Sequence, residues 1–170
     1  KITMQTSVAN IYAIGDCIGT AALAHVASAE GITAAEHISG HKVKGVPYGN
    51  IPSCTYCQPQ VASVGLTEKA ALEKGYKLKI GRFPFSALGK ARAIGETDGM
   101  VKLIFDEKYG ELLGAHIVGH DATEMIAELG LARTLETTVH EIADTVHAHP
   151  TLSEAVMEAA HEALGHAIHI

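Results

Sequence analysis

Two β-type runs, residues 98–105 and 111–118, stand on either side of Asp106-Glu107-Lys108-Tyr109-Gly110. A short break that ends in glycine, the residue most at ease with positive φ, predicts an antiparallel hairpin. Helix starts follow at Asp121-x-x-Glu124, Thr138-x-x-Glu141 and Thr151-x-x-Glu154. In each, the first side chain and the Glu three residues later can satisfy backbone donors that a helix leaves unpaired at its start. Ala122, Met125, Ile126, Leu129 and Ala132 then share one face of the first of these helices. Upstream, residues 54–65 read as a strand, 67–74 as a short helix and 76–85 as another strand. Strands in succession and then helices predict an α+β fold, an antiparallel sheet packed with helices.

The first part of the chain has a different texture. Asn10-Ile11-Tyr12-Ala13-Ile14-Gly15-Asp16 is continuously apolar up to Gly15-Asp16, which predicts a strand buried on both faces with Asp16 at its carboxyl end. Asp16 taken alone is equally an ordinary turn residue. An alanine-rich helix over residues 21–38, stopped by Gly40, follows, and the Gly-, Pro- and Lys-rich stretch 40–52 reads as a connector. The expected division is residues 1–48 as a strand-helix unit and 49–170 as the α+β domain.

Composition removes several function classes. A formal charge of −6 with thinly spread lysines and arginines offers no basic stripe for nucleic acid. No apolar run approaches the roughly 20 residues of a membrane helix, and no leader is apparent, so a soluble protein is expected. Three cysteines without framework spacing point to a reducing compartment, and the expected localisation is cytoplasmic, or the mitochondrial matrix in a eukaryote. Cys54 and Cys57 form a CxxC, but on an extended segment they would point to opposite faces about 10 Å apart, outside disulfide reach. Cys17 reads as a small packed residue. His161 and His166, five apart, should diverge by roughly 140° on a helix, unlike metalloprotease ligands four apart. His147 with His149, and His166 with His169, lack a third ligand, so no metal is expected. No GxGxxG or phosphate loop occurs anywhere in the chain.

The segment that carries chemistry best is His149-Pro150-Thr151-Leu152-Ser153-Glu154. A histidine just outside a helix and a carboxylate in its first turn can meet, with Pro150 fixing the backbone between them. A carboxylate on one ring nitrogen selects the tautomer and raises the basicity of the other, as a general base requires. The same spacing also fits a Glu154 that only completes a capping box with Thr151.

The segment 149–154 resembles the HPTxxE element of the flavin disulfide reductases. Residues 6–16 are similar to that family's second flavin-binding motif. Val61-Ala62-Ser63-Val64-Gly65-Leu66-Thr67-Glu68 and Glu96-Thr97-Asp98-Gly99-Met100-Val101-Lys102 resemble further stretches, in the same order along the chain. Leu23-Ala24-His25 resembles the lipoamide branch, the dihydrolipoyl dehydrogenases, where the glutathione reductases tend to have Leu-Thr-Pro; the latter are the alternative. The resemblance implies thiol-to-disulfide-to-flavin-to-nicotinamide electron flow with FAD and NAD. His149 would be the base for dihydrolipoamide and Glu154 its orienter. Asp16, Leu23, Ala24 and His25 would contact the flavin, although Ala22 and Val26 stand where methionine and lysine are usual. It further implies a homodimer in which the histidine reaches the partner's disulfide, a cis His149-Pro150 bond, and lipoyl domains of 2-oxoacid dehydrogenase or glycine cleavage complexes as partners. The family's redox cysteines and dinucleotide fingerprints do not occur in these residues. The chain is therefore expected to be a carboxyl-terminal piece, inactive alone, or simply a dimerisation module.

Overall fold

A computed structural model describes residues 2–169. The chain divides into two compact units after Gly49.

In the first unit, helix α1 (Ala24–Ile38) begins three residues later than expected, because Leu23 is still extended at φ −135°. The run 10–16 is not the doubly buried strand its apolar sequence predicts. Among the described residues it is held by a single bridge, Gln5 to Tyr12, and Ile11 and Ile14 are 52% and 40% exposed. A strand sandwiched on both faces needs neighbours on both edges, and here it has one contact on one edge. What organises the unit is instead a carboxylate. Glu30 is fully buried on α1 and accepts from the Gly15 N–H at 2.6 Å, the Thr20 hydroxyl at 2.9 Å and the Tyr48 hydroxyl at 2.6 Å. Burial alone would push this carboxyl up. The donors, Tyr48 first and then Gly15 and Thr20, outweigh it and hold Glu30 below the usual range.

The second unit is built on a five-stranded antiparallel sheet. Its elements are β1 (Ser53–Thr55), β2 (Gln60–Gly65), α2 (Glu68–Glu73), β3 (Leu78–Pro84), α3 (Gly89–Ile94), β4 (Met100–Asp106), β5 (Leu112–Gly119), α4 (Ala122–Thr134), α5 (Val139–Asp144) and α6 (Glu154–Ala163). The spatial order is β1-β2-β5-β4-β3. The segment 54–65 is thus two strands, not one: Pro59 offers no ladder donor, and the chain reverses so that Cys54 pairs with Ala62. Helix α3 has no counterpart in the sequence reading. The β4–β5 hairpin forms as its turn residues predict, with Gly110 at φ 76° and the buried Asp106 carboxylate accepting from the Tyr109 N–H at 2.9 Å.

Alternation along the strands sends two sets of side chains to opposite faces. Val64, Phe83, Val101, Leu103, Phe105 and Ile117 join one large core with α4, α5 and α6, while Ile104 and Leu113 pack with Ala71 of α2 on the other side. The decisive contact for function is α6 on β3. A Cβ built at Gly81 would lie 1.7 Å from the Ala159 carbonyl oxygen, so helix backbone rests directly on strand backbone there. Ala155, Ala159 and Ala160, all fully buried, allow the approach. Helix starts behave individually. Thr138 and Glu141 form the reciprocal box. Asp121 does not cap α4; it sits left-handed at φ 55° with no side-chain bond to the helix.

Candidate functional site

Helix α6 starts late, at Glu154, and the segment before it is held by hydrogen bonds of its own. The Thr151 hydroxyl donates to the Ala148 carbonyl at 2.7 Å, and the His149–Pro150 peptide is cis, as the family resemblance implies. Glu154 then does both things its spacing allowed. One carboxylate oxygen accepts the Thr151 N–H at 2.8 Å, and the other lies 2.9 Å from His149 Nδ1. The reciprocal half of the expected box is absent, because Thr151 spends its hydroxyl on Ala148.

Burial would push the Glu154 carboxyl up. The Thr151 N–H, the His149 hydrogen bond and the charges of His149 and His169 reverse that and hold it low. An ionised carboxylate only accepts, so Nδ1 must be the donor, and in the neutral ring Nε2 carries the free lone pair. The Glu154 side chain is 17% exposed and that of His149 is 75% exposed. The acid is anchored and the ring presented outward, beside a cleft of about 110 Å³ that includes Phe83, Leu88 and Gly89. Chemically, such an arrangement leaves Nε2 able to accept a proton.

The other residues singled out lie in the first unit. Asp16 is exposed in a 3-10 turn over Gly15–Ile18, Leu23 is half-buried at the N-cap of α1, and Ala24 and His25 are exposed in its first turn. The N-cap Leu23 makes no side-chain cap bond, and no acid stands in the first turn. A first turn free of negative charge is compatible with an electron-rich ligand edge beside these residues. They do not supply a pyrophosphate cradle.

Sequence reasoning missed the partner of His147. Its side chain, 6% exposed, bridges the Thr145 carbonyl and Glu128 of α4, each at 2.8 Å. Glu128 is nineteen positions away, so no local pattern reveals the pair. The Glu128 hydrogen bond raises the His147 pKa; burial opposes it and the Thr145 carbonyl adds to it. A raised folded pKa means that the pair's contribution is complete below the unfolded value of about 6.5 and is lost as pH rises through the higher folded value. Unfolding free energies measured from pH 6 to 9 should fall more in the wild type than in Glu128→Gln, by up to about 1 kcal/mol. Parallel curves would remove His147 as an anchor of the loop that aims His149.

Other expectations need correction. His161 and His166 do not diverge: their ring centroids are 5.2 Å apart, because α6 ends at Ala163 and Gly165, at φ 86°, turns the chain back. Among the described residues, no group of three or more His, Cys, Asp or Glu is placed to hold a metal. All three cysteines are free. Cys54 is on β1 with its thiol pushed up by burial and then by Glu124, Cys57 is in the turn beyond, and Cys17 is exposed rather than packed. Among the described residues no helix is long and apolar enough to cross a membrane.

Comparison with known proteins shows the family and the fold. Dihydrolipoyl dehydrogenase of Zymomonas mobilis is 55% identical over 166 residues, and that alignment covers 97% of this chain and 36% of the relative. The Bacillus subtilis dihydrolipoyl dehydrogenase is 51% identical over 165 residues, with 97% and 35% covered. The chain therefore spans about a third of the length of the curated relatives it matches. The crystal structure of LpdA from Mycobacterium tuberculosis superposes with a TM-score of 0.89 at 27% identity, over 95% of this chain and 35% of that one. Residues 51–160 match the family model described as pyridine nucleotide-disulphide oxidoreductase, dimerisation domain. With a five-stranded α+β domain of that shape and more than half of its length matched, this chain belongs to the pyridine nucleotide-disulphide oxidoreductase family through its dimerisation domain.

Proposed function

We propose that the chain is the carboxyl-terminal portion of a dihydrolipoyl dehydrogenase, in which His149 is the base that deprotonates dihydrolipoamide and Glu154 holds its ring. The observation that carries this reading is the 2.9 Å contact between His149 Nδ1 and Glu154, in a chain about half identical to enzymes of that name. In the proposed step a substrate S–H bond breaks, the proton passes to His149 Nε2, and the thiolate left behind attacks the redox disulfide. Over the whole cycle dihydrolipoamide loses two electrons and two protons, NAD+ gains a hydride, and the second proton is released to solvent. FAD, when bound, supplies the two-electron relay between disulfide and nicotinamide, with Asp16, Leu23, Ala24 and His25 on its near side.

The working form is a homodimer. Exposed apolar side chains on the second unit support this, among them Val146 at 93%, Leu135 at 68% and Leu131 at 60%. Val146 lies three residues before His149, so a surface covered by a second copy would run next to the base. Lipoyl domains of 2-oxoacid dehydrogenase or glycine cleavage complexes would be the natural source of the dithiol, in the cytoplasm or the mitochondrial matrix.

The 170-residue chain by itself should be colourless and form no NADH from dihydrolipoamide, acting only as a dimerisation module, since neither a flavin pyrophosphate fingerprint nor a redox disulfide lies within it. Stoichiometric flavin absorbance after purification with added FAD would overturn that statement. Turnover of the full-length enzyme with dihydrolipoamide rather than oxidised glutathione separates this reading from a glutathione reductase.

A further inference from the structure

We propose that Glu158 and His169 form a second acid–imidazole pair, which docks the end of the chain against the His149–Glu154 cleft and makes His169 a positioning residue for the proposed base. The inference rests on the reading of His149 as a base only for its functional meaning, since its geometry is independent. Glu154 and Glu158 are four apart on α6 and so lie one turn apart on the same face. Glu158 is 1% exposed, an expensive place for a carboxylate unless donors surround it. The donors come from the tail: the Ile168 N–H at 3.0 Å, the His169 N–H at 3.4 Å and His169 Nδ1.

The tail reaches that position because Gly165, left-handed at φ 86°, reverses the chain after α6, with its N–H on the Glu162 carbonyl at 2.8 Å and that of His166 on the His161 carbonyl at 3.0 Å. As a result His149 arrives from before α6 and His169 from after it, and both rings line one small cleft. Each ring has Nδ1 committed to a glutamate of the same helix, and neither Nε2 has a hydrogen-bond partner among the described residues.

The ionisable groups around Glu154 are His149 on its own loop, Glu158 on its own helix and His169 on the tail, with His147 of the preceding loop close enough to interact by charge. The wall supplied by β3 and the α3 segment is apolar, with Phe83, Leu88 and Gly89. Lys90, Asp121 and Glu124 line a separate depression beside Pro150–Ser153. His169 is therefore the only ionisable side chain in the cleft, among the described residues, that comes from beyond the end of α6. Beside Glu154 it favours the carboxylate form, which is the form that must accept from His149.

The test uses the 170-residue chain, with the Glu154 side-chain carboxyl followed by carbon NMR across acid pH. In His169→Ala, which removes one donor from the buried Glu158 and leaves it the two backbone N–H donors of the tail, the Glu154 midpoint should rise by about 0.5 pH unit. In Glu158→Gln, exchange of the Ile168 and His169 amides should speed up about tenfold as the tail loosens. An unmoved Glu154 midpoint in His169→Ala would reduce the tail to packing and overturn the proposal. Amides that exchange equally fast in wild type and Glu158→Gln would overturn the docking itself. Neither result bears on whether His149 is a base: full turnover in a His149→Gln enzyme would remove that reading and leave the titration standing.

Discussion

His149→Gln in the full-length flavoenzyme is expected to lower the rate of dihydrolipoamide oxidation by about 10²–10⁴-fold, the range a positioned general base supplies. Glutamine retains the size and can still donate a hydrogen bond to Glu154, but it cannot accept and then release a proton at the position of Nε2. Flavin content should stay the same, since the residues proposed to face the flavin are in the first unit and His149 is in the second. The loss should also be relieved at high pH, where the substrate thiol ionises without help. Stopped-flow reduction of the flavin by dihydrolipoamide, compared across pH, is the measurement. A variant reduced at the wild-type rate at neutral pH would leave Glu154 as nothing more than a partial helix cap.

Gly81→Ala should be among the most damaging single-carbon changes in the second unit, costing about 3 kcal/mol of stability. The added carbon would fall 1.7 Å from the Ala159 oxygen and 2.7 Å from its carbonyl carbon, both backbone atoms that no rotamer change can move. Relief requires α6 to lift from β3, and α6 carries Glu154. Urea unfolding of the 170-residue chain would read the loss as a lower midpoint. Gly89→Ala is the matched control, because its new carbon would meet nothing nearer than His149 Cε1 at 3.9 Å. Equal midpoints for the two variants would mean that the close approach of helix and strand is not the constraint it looks.

The two changes probe different levels of the same site. The first removes the proton acceptor and leaves the scaffold alone, whereas the second leaves every ionisable group in place and displaces the helix that aims them.

Much of the second unit was legible. The β4–β5 hairpin follows from Gly110 and the apolar alternation on either side, and the Thr138 start from its own capping box. These are short-range effects, settled within a few residues. The failures share a different cause. The run 10–16 looks like a buried strand because apolarity records what a segment could pack against, not what stands beside it. Asp121 has the right spacing for a cap, but its left-handed backbone turns the side chain away from the helix. The separation of His161 and His166 was misjudged because helical periodicity stops where the helix does, at Ala163.

The sequence by itself determined the α+β class through its order of strands and helices, determined the hairpin through its turn, and allowed the meeting of His149 with Glu154 without choosing it over a plain helix cap, because turns and spacings act within a few residues. Only the tertiary structure decided that Glu30 is the buried centre of the first unit, that His147 is tied to Glu128, and that the chain's end returns to Glu158. Those contacts join residues ten or more positions apart, and a buried charge selects its donors from whatever the completed packing brings near.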